Sequence, residues 1–345
     1  MKILVVNNMA PFVWGGAEEL AVNLCQRLID SGHDSEVLRI PFQWHPATCI
    51  PSQMMMARTM QLWEVDRVIA LKFPAYLIPH AEKTLWLLHQ YRQAYDLYDA
   101  GQSNIGKDPL GQELRTIIRN GDNECFQKAR KIFTNSHVTQ DRLQRYNGFT
   151  SAVLLPPLND AELFTGASEE HFILAGGRVN GMKRQHLLLE ALALMPNGIR
   201  LIIAGPPDSP ADATRLHQMA ESLGIKDRVT FRLEFLPRRE LADLMNRASA
   251  VAYLPFDEDS LGYVAMEAAT AGKPIITTTD SGGILKLAIH GTTGLVAAPK
   301  PSALADAMNR ISTHPAQAAS MGMAARSHWH GMGINWETTL ERLLA

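Results

Sequence analysis

Short apolar runs alternate with amphipathic stretches along almost the whole chain. Runs of three to five residues, rich in β-branched side chains, are typical of strands buried on both faces of a parallel sheet. The clearest helical patterns between them cover Ala17–Ile29 and Leu110–Ala129. The predicted strands are Ile3–Asn7, Glu36–Ile40, Arg67–Leu71, Leu85–His89, Ile132–Asn135 and Val153–Leu155, and then Phe172–Ala175, Leu201–Ala204, Val229–Phe231, Ala250–Leu254, Ile275–Thr278 and Leu295–Ala297.

The alternation of strands and helices runs through the first half of the chain and then begins again. Two such series predict an α/β fold with two doubly wound, Rossmann-like domains. Pro156 and Pro157 disfavour both a helix and a central strand, which suits a connection between domains. We therefore predict a first domain at residues 1–158 and a second that begins at residue 159. Ligands of such sheets bind at the carboxyl ends of the strands.

Composition narrows the class of protein. The 345 residues are 46% hydrophobic with a net charge of -2, so no basic excess favours nucleic acid. Three scattered cysteines without metal spacing, Cys25, Cys49 and Cys125, indicate thiols in a reducing compartment. The opening MKILVVNN predicts a buried strand rather than a signal peptide, and no run approaches the roughly 18 apolar residues of a membrane span. We predict a cytoplasmic protein, either free or at the inner face of the membrane.

Residues 255–283 carry the most informative motif. Two carboxylates eight residues apart, Asp259 and Glu267, flank a helix that Gly262 opens and Gly272 closes. A helix N-terminus offers unpaired N–H groups and a positive dipole end to a phosphate. Carboxylates beside it accept hydrogen bonds from sugar hydroxyls, so the segment suits a nucleotide-sugar. The alternative is that both are surface acids attracted by the helix dipole, although Glu267 lies among apolar residues, where a buried carboxylate needs a partner.

A basic loop follows the first strand of the second series. Gly176 and Gly177 precede Arg178, Lys183 and Arg184, and a helical pattern follows. Two cations five residues apart, Arg178 and Lys183, could neutralise a diphosphate. A solvated surface loop is the competing interpretation.

The first half offers two weaker candidates. Gly15 and Gly16 precede an amphipathic helix and would let a ligand approach the backbone, but a plain strand-to-helix turn explains them equally well. His89 ends a strand and could point into a cleft, or be a half-buried histidine with its hydrogen bonds satisfied. No metal-binding signature, nucleophile elbow, Walker A loop or dinucleotide fingerprint is present. We therefore predict no metal and no cofactor.

Together these motifs resemble the family-4 glycosyltransferases (glycosyl transferases group 1), which have the two-domain GT-B fold. The carboxylate pattern E-x7-E matches Asp259–Pro274, GRxxxxK matches Gly177–Lys183, and the late DSGG…GLV segment matches Asp280–Val296. The glycine pair with Glu18 matches the first loop. The resemblance implies two domains that face a central cleft, the second of them ending at residue 330, and a last helix at residues 331–345 that returns to the first domain. It also places Asp259 where the family usually has glutamate.

The resemblance assigns roles to the candidate residues. It implies that Arg178 and Lys183 hold the donor diphosphate, that Glu267 binds the ribose, and that Asp259 contacts the donor hexose. His89 matches a histidine near the anomeric centre. The remaining donor contacts would come from Gly15, Gly16, Leu261, Gly262, Tyr263 and Val264.

The reaction implied is metal-independent transfer of a hexose from a nucleotide-diphosphate sugar to a glycan or lipid-linked acceptor, with retention at the anomeric carbon. Such a role fits polysaccharide biosynthesis and peripheral membrane contact. Two alternatives stay open on the sequence: a nucleotide-sugar 2-epimerase, and a non-catalytic protein that binds sugar nucleotides. The donor base, the sugar, the acceptor and the linkage are not encoded in a readable motif.

Overall fold

The computed structural model of the chain describes residues 1–166, 170–196 and 198–345. The chain divides into two compact units: unit 1 comprises Met1–Pro157 and Asn335–Ala345, and unit 2 comprises Leu158–Ile334. All three cysteines are free thiols. Among the described residues, no helix combines the length and the apolar character needed to cross a lipid bilayer.

In the described residues twelve strands form two sheets, and every predicted strand overlaps an observed one. The strands of unit 1 are β1 (Lys2–Met9), β2 (Asp34–Pro41), β3 (Arg67–Lys72), β4 (Lys83–His89), β5 (Lys131–Thr134) and β6 (Ala152–Val153). Those of unit 2 are β7 (Phe172–Gly176), β8 (Arg200–Ala204), β9 (Val229–Arg232), β10 (Ala250–Ala252), β11 (Ile275–Thr278) and β12 (Gly294–Ala297).

Helices connect most of these strands, and both helices predicted most clearly from the sequence are confirmed. The helices of the described residues are α1 (Gly16–Asp30), α2 (Ile50–Thr59), α3 (Asp96–Asp99), α4 (Pro109–Lys128), α5 (His137–Asn147), α6 (Gln185–Ala193), α7 (Pro210–Ser222), α8 (Arg238–Arg247), α9 (Tyr263–Thr270), α10 (Pro301–Thr313), α11 (Pro315–Gly331) and α12 (Trp336–Leu344).

Local sequence explains where the helices begin and end. At the start of α4, the Asp108 carboxylate accepts a hydrogen bond from the Gly111 amide, and Pro109 occupies the first helical position. The hydroxyl of Ser136 accepts from the Thr139 amide at the start of α5. Gly148 ends α5 in the left-handed conformation that glycine adopts without strain.

The sheet of unit 1 is parallel, with strand order β2-β1-β3-β4-β5-β6. Alternate residues of its strands enter two separate apolar clusters, one on each face, as Val68 and Ile69 of β3 show. Helix α12 packs on one face through Leu340 and Leu343, and the ring of Trp336 meets that of Trp86 edge-on at 6.5 Å. The strand order reverses between β1 and β3, which is where a doubly wound sheet opens a crevice for ligands.

The sheet of unit 2 is also parallel, with strand order β12-β11-β10-β7-β8-β9. Read from β7, this is the 3-2-1-4-5-6 order of the Rossmann fold. Its apolar core lies between the sheet and the flanking helices, with contributions such as Leu188 from α6 and Met308 from α10. The order reverses between β7 and β10, so the loops that follow these two strands are expected to line a ligand crevice. The prediction of an α/β fold with two doubly wound sheets is confirmed.

Candidate functional site

Three loops meet at the carboxyl edge of the unit 2 sheet, and backbone hydrogen bonds join them. The amide of Phe256 donates to the Met182 carbonyl at 2.8 Å, which ties the loop after β10 to the loop after β7. The amide of Asp257 donates to the Asp280 carbonyl at 2.8 Å, which ties it to the loop after β11. The three loops therefore form one connected surface, which comprises residues 176–184, 253–262 and 280–283.

Two glycines permit this close packing. Gly262 has φ +78°, and a Cβ atom there would lie 2.5 Å from the Tyr253 ring. Gly282 has φ +73°, and its Cβ would collide with the carbonyl oxygen of Glu258. Both positions combine a left-handed backbone with a close approach, so other residues would be strained there. The prediction that Gly262 opens a helix is confirmed, since it is the N-cap of α9.

Lys183 is a cation of this surface that two neighbouring side chains hold in place. Its ammonium donates to the Tyr253 hydroxyl at 2.8 Å and forms an ion pair with Glu258. Burial acts to lower the pKa of Lys183, but the Coulombic influence of Tyr253 and Glu258 together with their hydrogen bonds raises it above its ordinary value. Burial raises the pKa of Tyr253 to about 12. The lysine is therefore a permanent positive charge, held against an aromatic ring at 5.0 Å from its centroid.

The two arginines of the basic loop behave differently. Arg178 is more than a third exposed, and its guanidinium reaches Asp208 at 3.3 Å, a carboxylate beyond the end of β8. Arg184 is largely buried. Its guanidinium donates hydrogen bonds to the Asp280 carboxylate, the Thr278 hydroxyl, and the Leu254 and Pro255 carbonyls. Its ion pair holds the pKa of Asp280 below the ordinary value. Arg184 therefore joins the ends of β10 and β11, whereas Arg178 is accessible to a ligand.

Glu267 projects from α9 into the interior and is only 2% exposed. The partner that a buried carboxylate requires is Arg238, the first residue of α8, which forms an ion pair with it. The same guanidinium lies 4.7 Å from the centre of the Phe164 ring, within 3.6 Å of the Asp160 carboxylate, and donates to the Asn159 carbonyl. All of these residues belong to unit 2.

Asp259 and the residues after it form the approach to α9. Asp259 is 5% exposed, and its carbonyl lies so close to Gly283 that a Cβ atom there would be 2.8 Å away. Glu258, whose side chain is 24% exposed, is the carboxylate that reaches Lys183. Leu261 and Val264 are buried, and Tyr263 begins the helix. The first amides of an α-helix have no acceptor within the helix and can donate hydrogen bonds to a bound anion.

The three site residues predicted for the first domain lie at the carboxyl edge of the unit 1 sheet. Gly15 is the N-cap of α1 with an extended φ of −155°, so its backbone conformation does not itself require glycine, and Gly16 begins the helix. His89 ends β4, and its Nδ1 lies 2.6 Å from the carbonyl oxygen of Gln90. A carbonyl can only accept, so Nδ1 carries the proton in this contact, which leaves Nε2 as the acceptor of the neutral ring.

No group of three or more histidine, cysteine, aspartate or glutamate side chains is placed to hold a metal ion within residues 1–166, 170–196 and 198–345.

Sequence reasoning did not identify the partners of the key residues. Arg238 lies 29 residues from Glu267, and Tyr253 lies 70 residues from Lys183. No local spacing rule connects positions this far apart, because only the sheet topology brings them together. The burial expected for Glu267 signalled that some cation must exist, but did not say which.

Comparison with known proteins finds similar sequences and folds. Residues 164–328 match the sequence model of the family described as glycosyl transferases group 1. Two relatives named D-inositol 3-phosphate glycosyltransferase are similar: one from Kribbella flavida is 34% identical over 75% of this chain and 65% of its own length. The other, from Mycobacterium marinum, is 35% identical over 70% of this chain and 51% of its own length. The chain thus spans about half to two thirds of the length of the curated relatives it matches.

Solved structures share the fold of the chain. Sucrose-phosphate synthase from Thermosynechococcus elongatus superimposes with a TM-score of 0.77 at 18% identity, covering 99% of this chain and 97% of that one. The Anabaena protein HepE in complex with UDP-glucose gives 0.75 at 20% identity, covering 100% and 98%. At these identities the likeness concerns the fold, which is that of the GT-B glycosyltransferases. Residues 164–328 therefore match the glycosyl transferases group 1 family, in a chain whose fold is GT-B.

Proposed function

We propose that this protein is a glycosyltransferase that moves a hexose from a nucleotide-diphosphate sugar to a glycan or glycolipid acceptor. The observation that carries the proposal is the position of Lys183 beside the N-terminus of α9. Its ammonium bonds to Tyr253, and the Tyr253 ring lies against Gly262, the N-cap of that helix. A permanent cation and a helix N-terminus thus converge where the strand order reverses, which is an arrangement suited to a diphosphate.

The same surface offers recognition of the rest of the donor. Glu267, four residues into α9, is assigned as the acceptor for the ribose hydroxyls, and Arg238 lies in position to compensate its charge. Asp259, at the approach to the helix, is assigned to the hexose. Arg178, which is exposed and lies in the same loop as Lys183, would complete the diphosphate site.

The chemistry follows from this charge distribution. Breaking the bond between the sugar and the phosphate leaves negative charge on the departing diphosphate, which Arg178, Lys183 and the amides at the start of α9 would stabilise without a metal ion. We propose that transfer retains the anomeric configuration, with the leaving phosphate receiving the acceptor proton. His89 is the residue of unit 1 that we assign to the sugar, and Nε2 is the acceptor nitrogen of its neutral ring. We place the reaction in the cytoplasm, at the inner face of the membrane where the acceptor is lipid-linked.

The relatives suggest which substrates to test first. HepE was crystallised with UDP-glucose, and the curated relatives are named for D-inositol 3-phosphate. A thermal-shift panel of UDP-, GDP- and ADP-sugars would identify the donor, because a bound ligand stabilises the native state by mass action. Assays of the donor with phosphorylated polyols and glycans would follow.

The outcome of these assays separates the three candidate functions. Formation of a glycoside that depends on an acceptor supports the proposal. Conversion of the sugar nucleotide into its epimer without an acceptor would contradict the proposal and identify a 2-epimerase. Binding without turnover would identify a non-catalytic protein that binds sugar nucleotides.

A further inference from the structure

The ion pair between Arg238 and Glu267 is among the contacts of the candidate site that no motif of the sequence predicted. The two residues come from different helices, α8 and α9, and the carboxylate is almost completely buried. The proposed function requires this carboxylate to be ionised, because a carboxylate accepts hydrogen bonds from two hydroxyls more strongly than a neutral acid does.

Arg238 is held in place on several sides. Its guanidinium lies over the face of Phe164, which restricts its plane, at 4.7 Å from the ring centroid. Nη2 donates to the Asn159 carbonyl at 3.2 Å, and Nε lies 3.6 Å from the Asp160 carboxylate. Because these contacts fix the guanidinium independently of Glu267, the arginine can orient the carboxylate rather than follow it.

The positive charge of Arg238 stabilises the ionised form of the Glu267 carboxylate. A carboxyl group removed from water titrates at a higher pH unless an opposite charge lies close to it. Loss of Arg238 would therefore favour the protonated form of Glu267, which is a weaker acceptor of hydrogen bonds. We propose that Arg238 is a positioning residue for donor binding, which keeps Glu267 ionised and oriented towards the ribose hydroxyls. This inference rests on the proposed function.

Other charged groups near α9 have different surroundings. Helix α8 also carries Arg239, Glu240, Asp243 and Arg247, helix α11 carries Arg326, His328 and His330, and Asp160, Asp259 and Lys273 lie in the adjoining loops. Arg326 of α11 donates to the carbonyls of Thr270 and Thr165 at 2.8 and 2.7 Å, and so lies at the C-terminal end of α9. Asp160 and Asp259 are acids and cannot compensate the negative charge of Glu267. Arg238 is the cation that reaches the Glu267 carboxylate from α8.

Calorimetry with bare nucleoside diphosphates tests this role. UDP and GDP are titrated into the wild type and into Arg238→Met, Arg238→Lys and Glu267→Gln between pH 6 and pH 9. We expect Arg238→Met to bind the diphosphate on the order of 10-fold more weakly at pH 6.5 and to recover as the pH rises, since Glu267 then ionises without help. Arg238→Lys should retain most of the affinity. Glu267→Gln should bind weakly with no recovery relative to the wild type.

The exposed neighbour Arg239 provides a matched control. Arg239→Met removes a positive charge one residue away and should leave both the affinity and its pH profile unchanged. If Arg238→Met binds like the wild type at every pH, the positioning role is wrong. Should this variant fail to fold by circular dichroism, Arg238→Lys and Arg238→Gln replace it, and equal affinity and pH profiles for these two would contradict the role. If the wild type itself binds no nucleotide, the proposed function fails first, and the role of Arg238 in donor binding fails with it.

Discussion

Lys183 and Glu258 form an ion pair that joins the loop after β7 to the loop after β10. The pair lies where the strand order of the unit 2 sheet reverses, and Tyr253 bonds to the same ammonium. A diphosphate that reaches Lys183 must therefore compete with Glu258 for its hydrogen bonds. The carboxylate holds the lysine in position before binding, and its negative charge opposes the arrival of an anion.

Replacement of Glu258 by Gln should accordingly tighten the binding of a bare nucleoside diphosphate. The ion pair is partly exposed, so we expect a gain of only about 1 kcal/mol, or roughly 5-fold in affinity. Calorimetry measures this directly. Glu234→Gln is the control, since Glu234 forms an exposed ion pair with Arg232 instead. Weaker binding by Glu258→Gln would show that Glu258 assists the diphosphate rather than opposing it.

The proposed diphosphate clamp is tested by removal of its cations. Arg178→Ala and Lys183→Ala should each reduce the rate of transfer on the order of 100-fold or more, because a preorganised contact to the developing charge is lost. Steady-state assays with the donor found by thermal shift measure the effect. Arg200→Ala serves as the comparison, since Arg200 is a largely exposed arginine at the opposite end of its strand, β8. Near-normal turnover of both clamp variants would exclude these residues from the site.

The limits of sequence reasoning are visible in these same residues. Continuous apolar runs predicted the strands, because a strand buried on both faces has no polar alternation to mask it. The Gly262 turn and helix α9 were also predicted correctly, since glycine at a helix start has a local signature. The partners Tyr253, Arg238 and Glu258 were not assigned, because long-range pairing depends on strand order. Arg184 shares the basic loop with Lys183, yet only the structure shows that it binds carbonyls and Asp280.

Removal of divalent metal ions should leave transfer intact. Lys183 and Arg178 provide fixed positive charge at the predicted diphosphate site, so the leaving group does not need a metal ion for stabilisation. The assay is transfer in excess chelator, compared with transfer after added Mg²⁺ or Mn²⁺. Loss of activity with chelator, followed by recovery with either ion, would overturn the metal-independent mechanism.

A buried aspartate in unit 1 should make stability depend on pH. Asp122 is fully buried and accepts hydrogen bonds from the hydroxyls of Tyr76 and Tyr95 at 2.9 and 2.7 Å, in the same buried region as Lys83 and Cys125. Burial raises the pKa of Asp122 to about 7, although the two tyrosine hydrogen bonds act to lower it. An acid with a raised pKa binds more protons in the folded state than in the unfolded state, so its contribution to stability decreases as the pH rises.

This predicts a lower free energy of unfolding at pH 8 than at pH 4.5, as far as Asp122 determines it, by at most about 1.4 kcal/mol per pH unit up to pH 7. Asp122→Asn should remove this part of the dependence, and Asp30→Asn, at the exposed end of α1, should not. Urea unfolding of the three proteins across this range gives the comparison. Parallel pH profiles for the wild type and Asp122→Asn would show that Asp122 does not titrate there.

The two carboxylates of the α9 motif should separate in their effects on binding and transfer. Glu267 lies within the helix and is assigned to the ribose, which every sugar nucleotide of one base shares. Asp259 precedes the helix and is assigned to the hexose, which the bare diphosphate lacks. Glu267→Gln should therefore weaken the diphosphate as well as the full donor. Asp259→Asn should spare the diphosphate but depress transfer.

The size of the effect makes this difference measurable. A hydrogen bond between a hydroxyl and a buried carboxylate contributes roughly 1.5–3 kcal/mol, or about 10- to 150-fold in affinity. Calorimetry with the diphosphate alone, beside transfer assays with the complete donor, resolves the two patterns. Because Asp259 is itself buried, the melting temperature of both variants must be shown to match the wild type, so that a loss of affinity is not a loss of folding. If Asp259→Asn weakens the bare diphosphate as much as Glu267→Gln does, Asp259 acts on the nucleotide and not on the hexose, and the assignment of the two carboxylates is wrong.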